Sequence, residues 1–224
     1  MTAALLELAD FQCPGDSETL FATIAQDLLT TGYSIRAGAL PAAIAKDLLQ
    51  HLHIMPEQQF APAGIGREQD HLLNRSVRKD TICWITGAAA AGRHWLDWAG
   101  ALQIYLNREL FLGLFSFESH FAHYAKGAYY RRHIDAFRGD SNRVLSVVAY
   151  LNPCWLPADG GELVLYPDEN YPDGLRVSPE MGTLAVFLSA EFEHEVLPAT
   201  RDRYSVAGWF RVNSSSAQRV DPPR

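Results

Sequence analysis

The apolar positions in the first half of the chain recur every three or four residues, which is the period of an amphipathic helix. Three such stripes occur: the first ends at Gly32, the second follows Pro41, and the third follows Gly92. Proline suits the first turn of a helix, and glycine suits its end. The stripes are Leu20–Leu29, Ile44–Met55 and Trp95–Leu106. The sequence therefore predicts three helices here, with a strand at Tyr33–Leu40 between the first two.

From Ser116 onward the pattern changes to alternation of apolar and polar residues, which is the period of a half-buried strand. Glycine, proline, aspartate and asparagine separate the alternating runs. Many short strands at close spacing are typical of a β-sandwich or barrel. The predicted strands are Ser116–Tyr124, Tyr129–Asp135, Arg143–Asn152, Glu162–Tyr166, Thr183–Leu188 and Arg203–Val212. The fold class predicted is mainly β with N-terminal helices (α+β).

A length of 224 residues suits one large domain with a full core. The connection Pro56–Lys79 is unusually long and has few large apolar residues, so it is either a solvated loop or a working lid. The residues after Asn213, SSSAQRVDPPR, have the composition of a disordered tail.

The formal net charge is −7, so the chain has no overall basic field, and we expect no nucleic-acid partner. Cys13, Cys83 and Cys154 lie far apart and do not form a disulfide framework. The N-terminus is a poor signal peptide, and no apolar run approaches the roughly 20 residues that span a bilayer. We therefore expect no membrane association and a cytoplasmic location.

The tripeptide His133-Ile134-Asp135 is the first candidate for chemistry. Residues two apart on a strand point to the same face, so His133 and Asp135 can reach one ion. His194 is available as a third ligand from another strand. Two histidines and one carboxylate that leave open positions are the facial triad of non-haem iron(II) oxygenases. The tripeptide alone is short and often accidental.

Arg203 follows His194 by nine residues and begins a predicted strand. If this strand lines a barrel, its guanidinium enters the interior, which is costly unless an anion pairs with it. Such an arginine suits bidentate capture of the distal end of a dicarboxylate. Tyr124 and Tyr150 could donate hydrogen bonds to the same ligand. The alternatives are an edge-strand surface arginine and two core aromatics.

Five segments carry a resemblance to a known family. In chain order they are HYAKGAYYRRHID, RVLSVVAYLN, GGELVLYP, the HEV at His194, and RYSVAGWF. The region from Tyr124 to Trp209 resembles the catalytic core of the 2-oxoglutarate-dependent prolyl hydroxylases. It is most similar to the branch that contains the hypoxia-inducible-factor hydroxylases and their bacterial relatives. Upstream, VRKDTICWI at Val77–Ile85 is similar to the segment that precedes the core in that branch.

The resemblance implies a single oxygenase domain over residues 1–224. In it, 1–115 supply helical support and a substrate lid, 116–213 form a double-stranded β-helix (jelly roll) core, and 214–224 are a disordered tail. It implies Fe(2+), 2-oxoglutarate and O2 as cofactor and cosubstrates, with ascorbate as an optional reductant. The implied metal ligands are His133, Asp135 and His194, and the implied 2-oxoglutarate residues are Arg203, Tyr124 and Tyr150. No catalytic residue is implied beyond the metal centre.

The resemblance also implies a substrate entrance. Arg78, Asp80 and Arg143 match polar residues there, and Tyr130 and Trp209 match aromatic residues near the target proline. The long connection before Asp80 matches a mobile loop, which favours the lid interpretation. A contact between Asp80 and Arg143 could join the base of this lid to the barrel.

The expected function is hydroxylation of a proline in a protein loop, with elongation factor Tu as the first candidate substrate on family analogy. One alternative is an oxygenase of a small molecule or free amino acid, which a shorter lid would have favoured. A second is a nucleic-acid demethylase, against which the acidic balance and Trp209 speak. A third is a non-catalytic binding module on the same barrel, which the intact ligand set and Arg203 disfavour.

Overall fold

The computed structural model describes residues 17–64, 77–136 and 142–213. The helices are α1 (Ser17–Thr31), α2 (Ala42–Ile54) and α3 (Ala90–Leu110). The strands are β1 (Tyr33–Arg36), β2 (Ala61–Pro62), β3 (Thr81–Trp84), β4 (Ser116–Tyr124), β5 (Tyr130–His133), β6 (Arg143–Tyr150), β7 (Leu163–Tyr166), β8 (Leu175–Val177), β9 (Leu184–Leu188), β10 (Glu193–Val196) and β11 (Arg203–Arg211). The described chain is thus mainly β, with its α-helices all in the N-terminal half, as the hydrophobic periods predict.

The strands form two antiparallel sheets that pack against each other. The major sheet has seven strands in the order β1-β9-β6-β11-β4-β3-β2, and the minor sheet has four in the order β5-β10-β7-β8. Side chains from both sheets share one apolar cluster, which includes Tyr150 and Phe187 of the major sheet and Leu165 of the minor sheet. This is the double-stranded β-helix that the resemblance implies.

The helices cover the other face of the major sheet. Ile24 of α1, Leu48 of α2 and Leu102 of α3 are fully buried and share a core with Val147 and Phe210 of the sheet. Each helix thus buries most of the apolar stripe seen in its sequence; Leu29, at the end of the first stripe, is 70% exposed. Since helices and sheet share a core, the helical half supports the barrel. Among the described helices, none has both the length and the apolar character needed to cross a membrane.

The start of α3 differs from the prediction. The helix begins at Ala90, so Gly92 lies in its first turn and does not precede it. A Cβ atom at Gly92 would collide with the carbonyl oxygen of Thr86. Glycine is needed here because the chain entering the helix passes close to its first turn, and a close approach of this kind has no local sequence signature.

Four strands escape the sequence prediction: β2, β3, β8 and β10 have only two to four residues each. So few residues carry too little alternation to distinguish a strand from a loop. The predicted strand Tyr33–Leu40 ends at Arg36, because a turn with Gly38 at φ 63° follows it. The other predicted strands are found with small differences at their ends.

The predicted lid, Pro56–Lys79, is described only at its two ends, and its residues 65–76 lie outside the described part. The first end contains a 3-10 turn at Glu57–Gln59 and strand β2, which pairs with β3 of the major sheet. At the second end, the amide of Lys79 donates to the carbonyl of Tyr129 over 3.0 Å, beside β5. The connection therefore begins on one sheet and ends on the other. The predicted tail 214–224 also lies outside the described residues.

Candidate metal centre

Two neighbouring strands of the minor sheet bring the two histidines together. His133 ends β5 and pairs in register with His194 of β10, and their ring centroids are 4.3 Å apart. Asp135 follows β5 by two residues. One ligating atom from each of the three residues lies within 4.8 Å of the others. Such a cluster is compact enough to hold one ion.

Both imidazoles are oriented by their own backbone. Nδ1 of His133 lies 2.8 Å from the carbonyl oxygen of Arg131, and Nδ1 of His194 lies 3.1 Å from that of Phe192. A carbonyl can only accept, so Nδ1 carries the proton and donates, and the lone pair is left on Nε2. Each Nε2 lies 3.6 Å from a different oxygen of Asp135. The free nitrogens thus face the carboxylate, as ligands of a shared ion should.

The protonation states suit a cation. Burial by itself would raise the pKa of Asp135, but His194, His133 and the hydrogen bond from Ser146 together bring it below its usual range. Burial lowers the pKa of His194 to about 4. A carboxylate and a neutral imidazole are the forms that bind a divalent metal. The three residues therefore fit an iron(II) ion by donor type, by spacing and by charge.

Arg203 lies inside the barrel and is only 1% exposed. Its Nε donates to the carbonyl of Gly161 over 2.9 Å, and its Nη1 lies 3.4 Å from the hydroxyl of Ser205. Its guanidinium carbon is 4.9 Å from the ring centroids of both Tyr124 and Tyr150. None of these partners in the described chain is a carboxylate. A buried guanidinium without an anion is costly, so this site fits the distal carboxylate of 2-oxoglutarate.

Strand register explains why these groups converge. β11 pairs Arg203 with Tyr124 on one side and Ser205 with Tyr150 on the other. The hydroxyl of Tyr150 is buried next to Arg203, which can only donate, and its own proton has no acceptor among the described residues. Burial raises the pKa of both tyrosines, so each phenol keeps its proton and can donate it. The Tyr150 hydroxyl is therefore an unused donor beside the arginine.

Gly161 completes the surroundings of Arg203. It has a left-handed backbone with φ of 74°, and a Cβ there would lie 2.8 Å from the Cβ of Ala199 and 3.4 Å from Cδ of Arg203. Only glycine lets this carbonyl approach the guanidinium without displacing its neighbours.

Tyr130, Arg78 and Asp80 lie beside His133. The Tyr130 ring stacks on His133 with centroids 3.5 Å apart and an interplanar angle of 14°. The guanidinium carbon of Arg78 lies 4.4 Å from the Tyr130 centroid, and its Nε donates to Asp80 over 2.7 Å. Asp80 is 3% exposed. The pair joins the chain entering β3 to the strand that carries His133.

Arg143 and Trp209, the other two residues predicted at the substrate entrance, contact each other. The guanidinium carbon of Arg143 is 3.7 Å from the Trp209 ring centroid, and its Nη2 lies 3.1 Å from Glu118. The expected contact of Asp80 with Arg143 is not found among the described residues: Asp80 pairs with Arg78, and Arg143 pairs with Glu118. The reason is positional: Arg143 begins β6 and pairs with Glu118 of β4 across β11.

Sequence reasoning missed Ser146, Ser189, Gly161 and Glu118. Ser146 donates to Oδ2 of Asp135 over 2.6 Å. The alternation that placed Tyr150 inside the barrel also places Ser146 inside, four residues earlier on β6, so this residue had a usable signal. The other three are recognisable only once strands are paired, because their partners are distant in sequence.

Comparison with known proteins gives concordant results. A model of the 2OG-Fe(II) oxygenase superfamily matches residues 119–211. A prolyl-4-hydroxylase from Pseudomonas putida is 42% identical, with 86% of this chain and 99% of that chain covered and a TM-score of 0.76. A prolyl hydroxylase from Trichoplax adhaerens, solved with a hypoxia inducible factor peptide fragment, is 28% identical, with 86% and 89% covered and a TM-score of 0.76. A prolyl 4-hydroxylase from Phytophthora capsici, 21% identical over 91% of this chain and 68% of its own at a TM-score of 0.64, shares the fold.

A jelly roll with a two-histidine, one-aspartate cluster beside a buried arginine defines a class of metal-dependent oxygenases. The chain belongs to the 2OG-Fe(II) oxygenase superfamily, in its prolyl hydroxylase-like branch. It is therefore an enzyme, an Fe(II)- and 2-oxoglutarate-dependent dioxygenase, and it uses Fe(2+), 2-oxoglutarate and O2. His133, Asp135 and His194 could bind the iron.

Proposed function

We propose that this chain is a peptidyl-prolyl hydroxylase whose target proline lies in a protein loop. The observation that carries the proposal is the 42% identity to a prolyl-4-hydroxylase along 99% of that protein. The Trichoplax relative, which was solved with a peptide fragment, supports a polypeptide substrate. On family analogy, elongation factor Tu is the first protein to test.

In this proposal His133, Asp135 and His194 hold the iron, and Arg203 binds the C5 carboxylate of 2-oxoglutarate. Bound iron supplies oxygen activation, which is coupled to the oxidative decarboxylation of 2-oxoglutarate. The two phenols contribute neutral hydrogen-bond donors. The buried hydroxyl proton of Tyr150 has no acceptor among the described residues, and Tyr124 packs on the other side of the guanidinium. The barrel walls exclude water from this charge pair, which strengthens it.

Tyr130, Arg78, Asp80, Arg143 and Trp209 form the substrate entrance in this proposal. Arg143 keeps the Trp209 ring in place by stacking on it, as Arg78 does for Tyr130. The indole N–H of Trp209 is buried and has no hydrogen-bond partner among the described residues. It could therefore donate to a carbonyl of the substrate polypeptide. Burial raises the pKa of Tyr130, so its phenol stays neutral beside the iron ligands.

The proposed organisation is a single oxygenase domain. The helices of residues 17–110 and the major sheet share one apolar core, which supports this organisation for the described part of the chain.

The test uses mass spectrometry of purified elongation factor Tu, and of host proteins from cells with and without the enzyme, in search of proline residues that have gained one oxygen. His133→Ala should abolish this gain, whereas His123→Ala, which removes a partly buried histidine whose Nε2 lies 3.4 Å from Asp202, should not. Hydroxylation confined to free amino acids would contradict the proposal in favour of a small-molecule oxygenase.

A further inference from the structure

Two serines lie behind the aspartate of the metal centre. Ser146 on β6 and Ser189 just after β9 are 2% and 0% exposed. The Ser146 hydroxyl lies 2.6 Å from Oδ2 of Asp135 and 2.9 Å from the hydroxyl of Ser189. We refer to Ser146 and Ser189 as the serine pair. Buried hydroxyls so close to a carboxylate form a hydrogen-bonded chain that ends at the metal centre.

The direction of this chain is determined by the carboxylate. Ionised Asp135 can only accept, so Ser146 donates its single hydroxyl proton to Oδ2. The Ser146 oxygen must then accept the proton of Ser189. The backbone supports both serines: Ser146 pairs with Phe187 of β9, and the amide of Ser189 donates to the carbonyl of Val144 over 2.9 Å. Each hydroxyl therefore has one defined role.

The serine pair makes the two oxygens of Asp135 unequal. Oδ2 accepts a short, charge-assisted hydrogen bond from Ser146, whereas Oδ1 does not. Each oxygen also lies 3.6 Å from one imidazole Nε2, Oδ2 from that of His194 and Oδ1 from that of His133. We propose that the serine pair are positioning residues that make Asp135 offer one oxygen, not two, to the iron. This inference rests on the proposed role of His133, Asp135 and His194 as the metal ligands.

The consequence concerns the number of open positions around the metal. A chelating cosubstrate needs two positions, and dioxygen needs a third. Two imidazoles and one carboxylate oxygen leave three in an octahedral set, but a carboxylate that binds through both oxygens leaves only two. By engaging Oδ2, Ser146 keeps the last position open. Removal of a residue that hydrogen-bonds to a metal ligand commonly changes metal affinity or activity by roughly 10- to 100-fold.

The experiment uses the whole protein loaded with Co2+ without turnover. The Co2+ absorption spectrum reports the coordination around the ion, and calorimetry reports 2-oxoglutarate binding to the Co2+ form. The variants are Ser146→Ala, Ser189→Ala, the double variant, and Ser146→Thr, which retains a hydroxyl. The matched control is Ser34→Ala, because Ser34 is equally buried and donates to Asp27 over 2.6 Å, a serine–aspartate bond of the same length on β1.

We expect Ser146→Ala to bind Co2+ with an altered spectrum and to weaken 2-oxoglutarate binding by roughly tenfold or more. Ser189→Ala should change the Co2+ spectrum and weaken 2-oxoglutarate binding in the same sense, but to a smaller extent. The double variant should equal Ser146→Ala, because Ser189 acts only through Ser146. Ser146→Thr should restore the wild-type spectrum, and Ser34→Ala should not alter it.

An unchanged spectrum and cosubstrate affinity in Ser146→Ala would overturn the inference, and so would an equal effect of Ser34→Ala. If Ser146→Ala is misfolded by circular dichroism, Ser189→Ala decides the matter, because it keeps the hydroxyl that contacts Asp135 and removes only the partner of that hydroxyl. An unchanged spectrum and cosubstrate affinity in a folded Ser189→Ala would then overturn the inference. A wild-type protein that binds no Co2+ would refute the proposed metal site itself.

Discussion

Arg203→Ala is the sharpest test of the cosubstrate site. The change removes a guanidinium that is 1% exposed and that has a carbonyl and a hydroxyl, but no carboxylate, among its hydrogen-bond partners in the described chain. Hydrogen bonds to charged groups contribute about 1.5–3 kcal/mol each. A loss of that size corresponds to a roughly 10- to 100-fold weaker binding of 2-oxoglutarate. This is a minimum, because the variant would also leave the cosubstrate carboxylate unpaired in a buried site.

Calorimetry with Mn2+-loaded protein under anaerobic conditions measures this loss directly, and titration of Mn2+ alone measures metal affinity. We expect the affinity for 2-oxoglutarate to fall and the affinity for Mn2+ to stay close to wild type. The reason is that the hydrogen bonds of Arg203 within the described part of the chain go to Gly161 and Ser205 and to none of the metal ligands. Arg203→Lys should recover part of the affinity, since it restores the charge but not the planar fork. Arg201→Ala is the matched control: this arginine stacks on Trp155 at 4.6 Å but is exposed.

Thermal unfolding gives an independent readout. Excess 2-oxoglutarate should raise the melting temperature of the wild-type protein by mass action, and at the same concentration it should raise that of Arg203→Ala by less. An unchanged Michaelis constant for 2-oxoglutarate in Arg203→Ala would refute the assignment, as would an equal loss in Arg201→Ala.

Three further predictions follow from the same structure. Asp135→Ala should abolish turnover and Mn2+ binding but leave the circular dichroism spectrum unchanged; retained turnover would contradict the metal assignment. Gly92→Ala should lower stability by about 1–3 kcal/mol in chemical denaturation, because the added Cβ meets the carbonyl of Thr86, whereas Gly100→Ala on the same helix has open space and should raise it by up to about 1 kcal/mol. Burial lowers the pKa of His120 to about 4, below its ordinary value of 6.5. The unfolded chain therefore binds more protons between these values, so the metal-free protein should lose stability as pH falls from about 6.5 to 4, by up to about 3 kcal/mol from this residue. The free energy of unfolding of His120→Gln should depend less steeply on pH than that of the wild type, by the equivalent of about one bound proton. An identical slope would exclude His120 as the cause.

The sequence by itself was sufficient for the elements with long, regular periods. The three helices carry apolar stripes of more than two turns, and β4 and β11 alternate over nine residues each. Such patterns identify an element because every turn or residue pair repeats the same evidence. The same alternation predicted one shared face for His133 and Asp135 before any strand was paired. For Arg203 it left two positions open, the barrel interior and the surface of an edge strand, and the structure shows the interior.

Tertiary structure alone decided which distant groups meet. β10 has four residues, and the alternation of His194 and Val196 with two glutamates is too short to bound a strand by itself, yet the pairing of β10 with β5 brings His194 to His133. Asp80 pairs with Arg78 and not with Arg143, which is a matter of how the sheets lie and not of residue type. The partners Gly161 of Arg203 and Ser189 of Ser146 lie 42 and 43 residues away in the chain. Local periodicity reports only which face a side chain occupies, whereas hydrogen bonds across strands depend on register, and register is determined when the whole barrel packs.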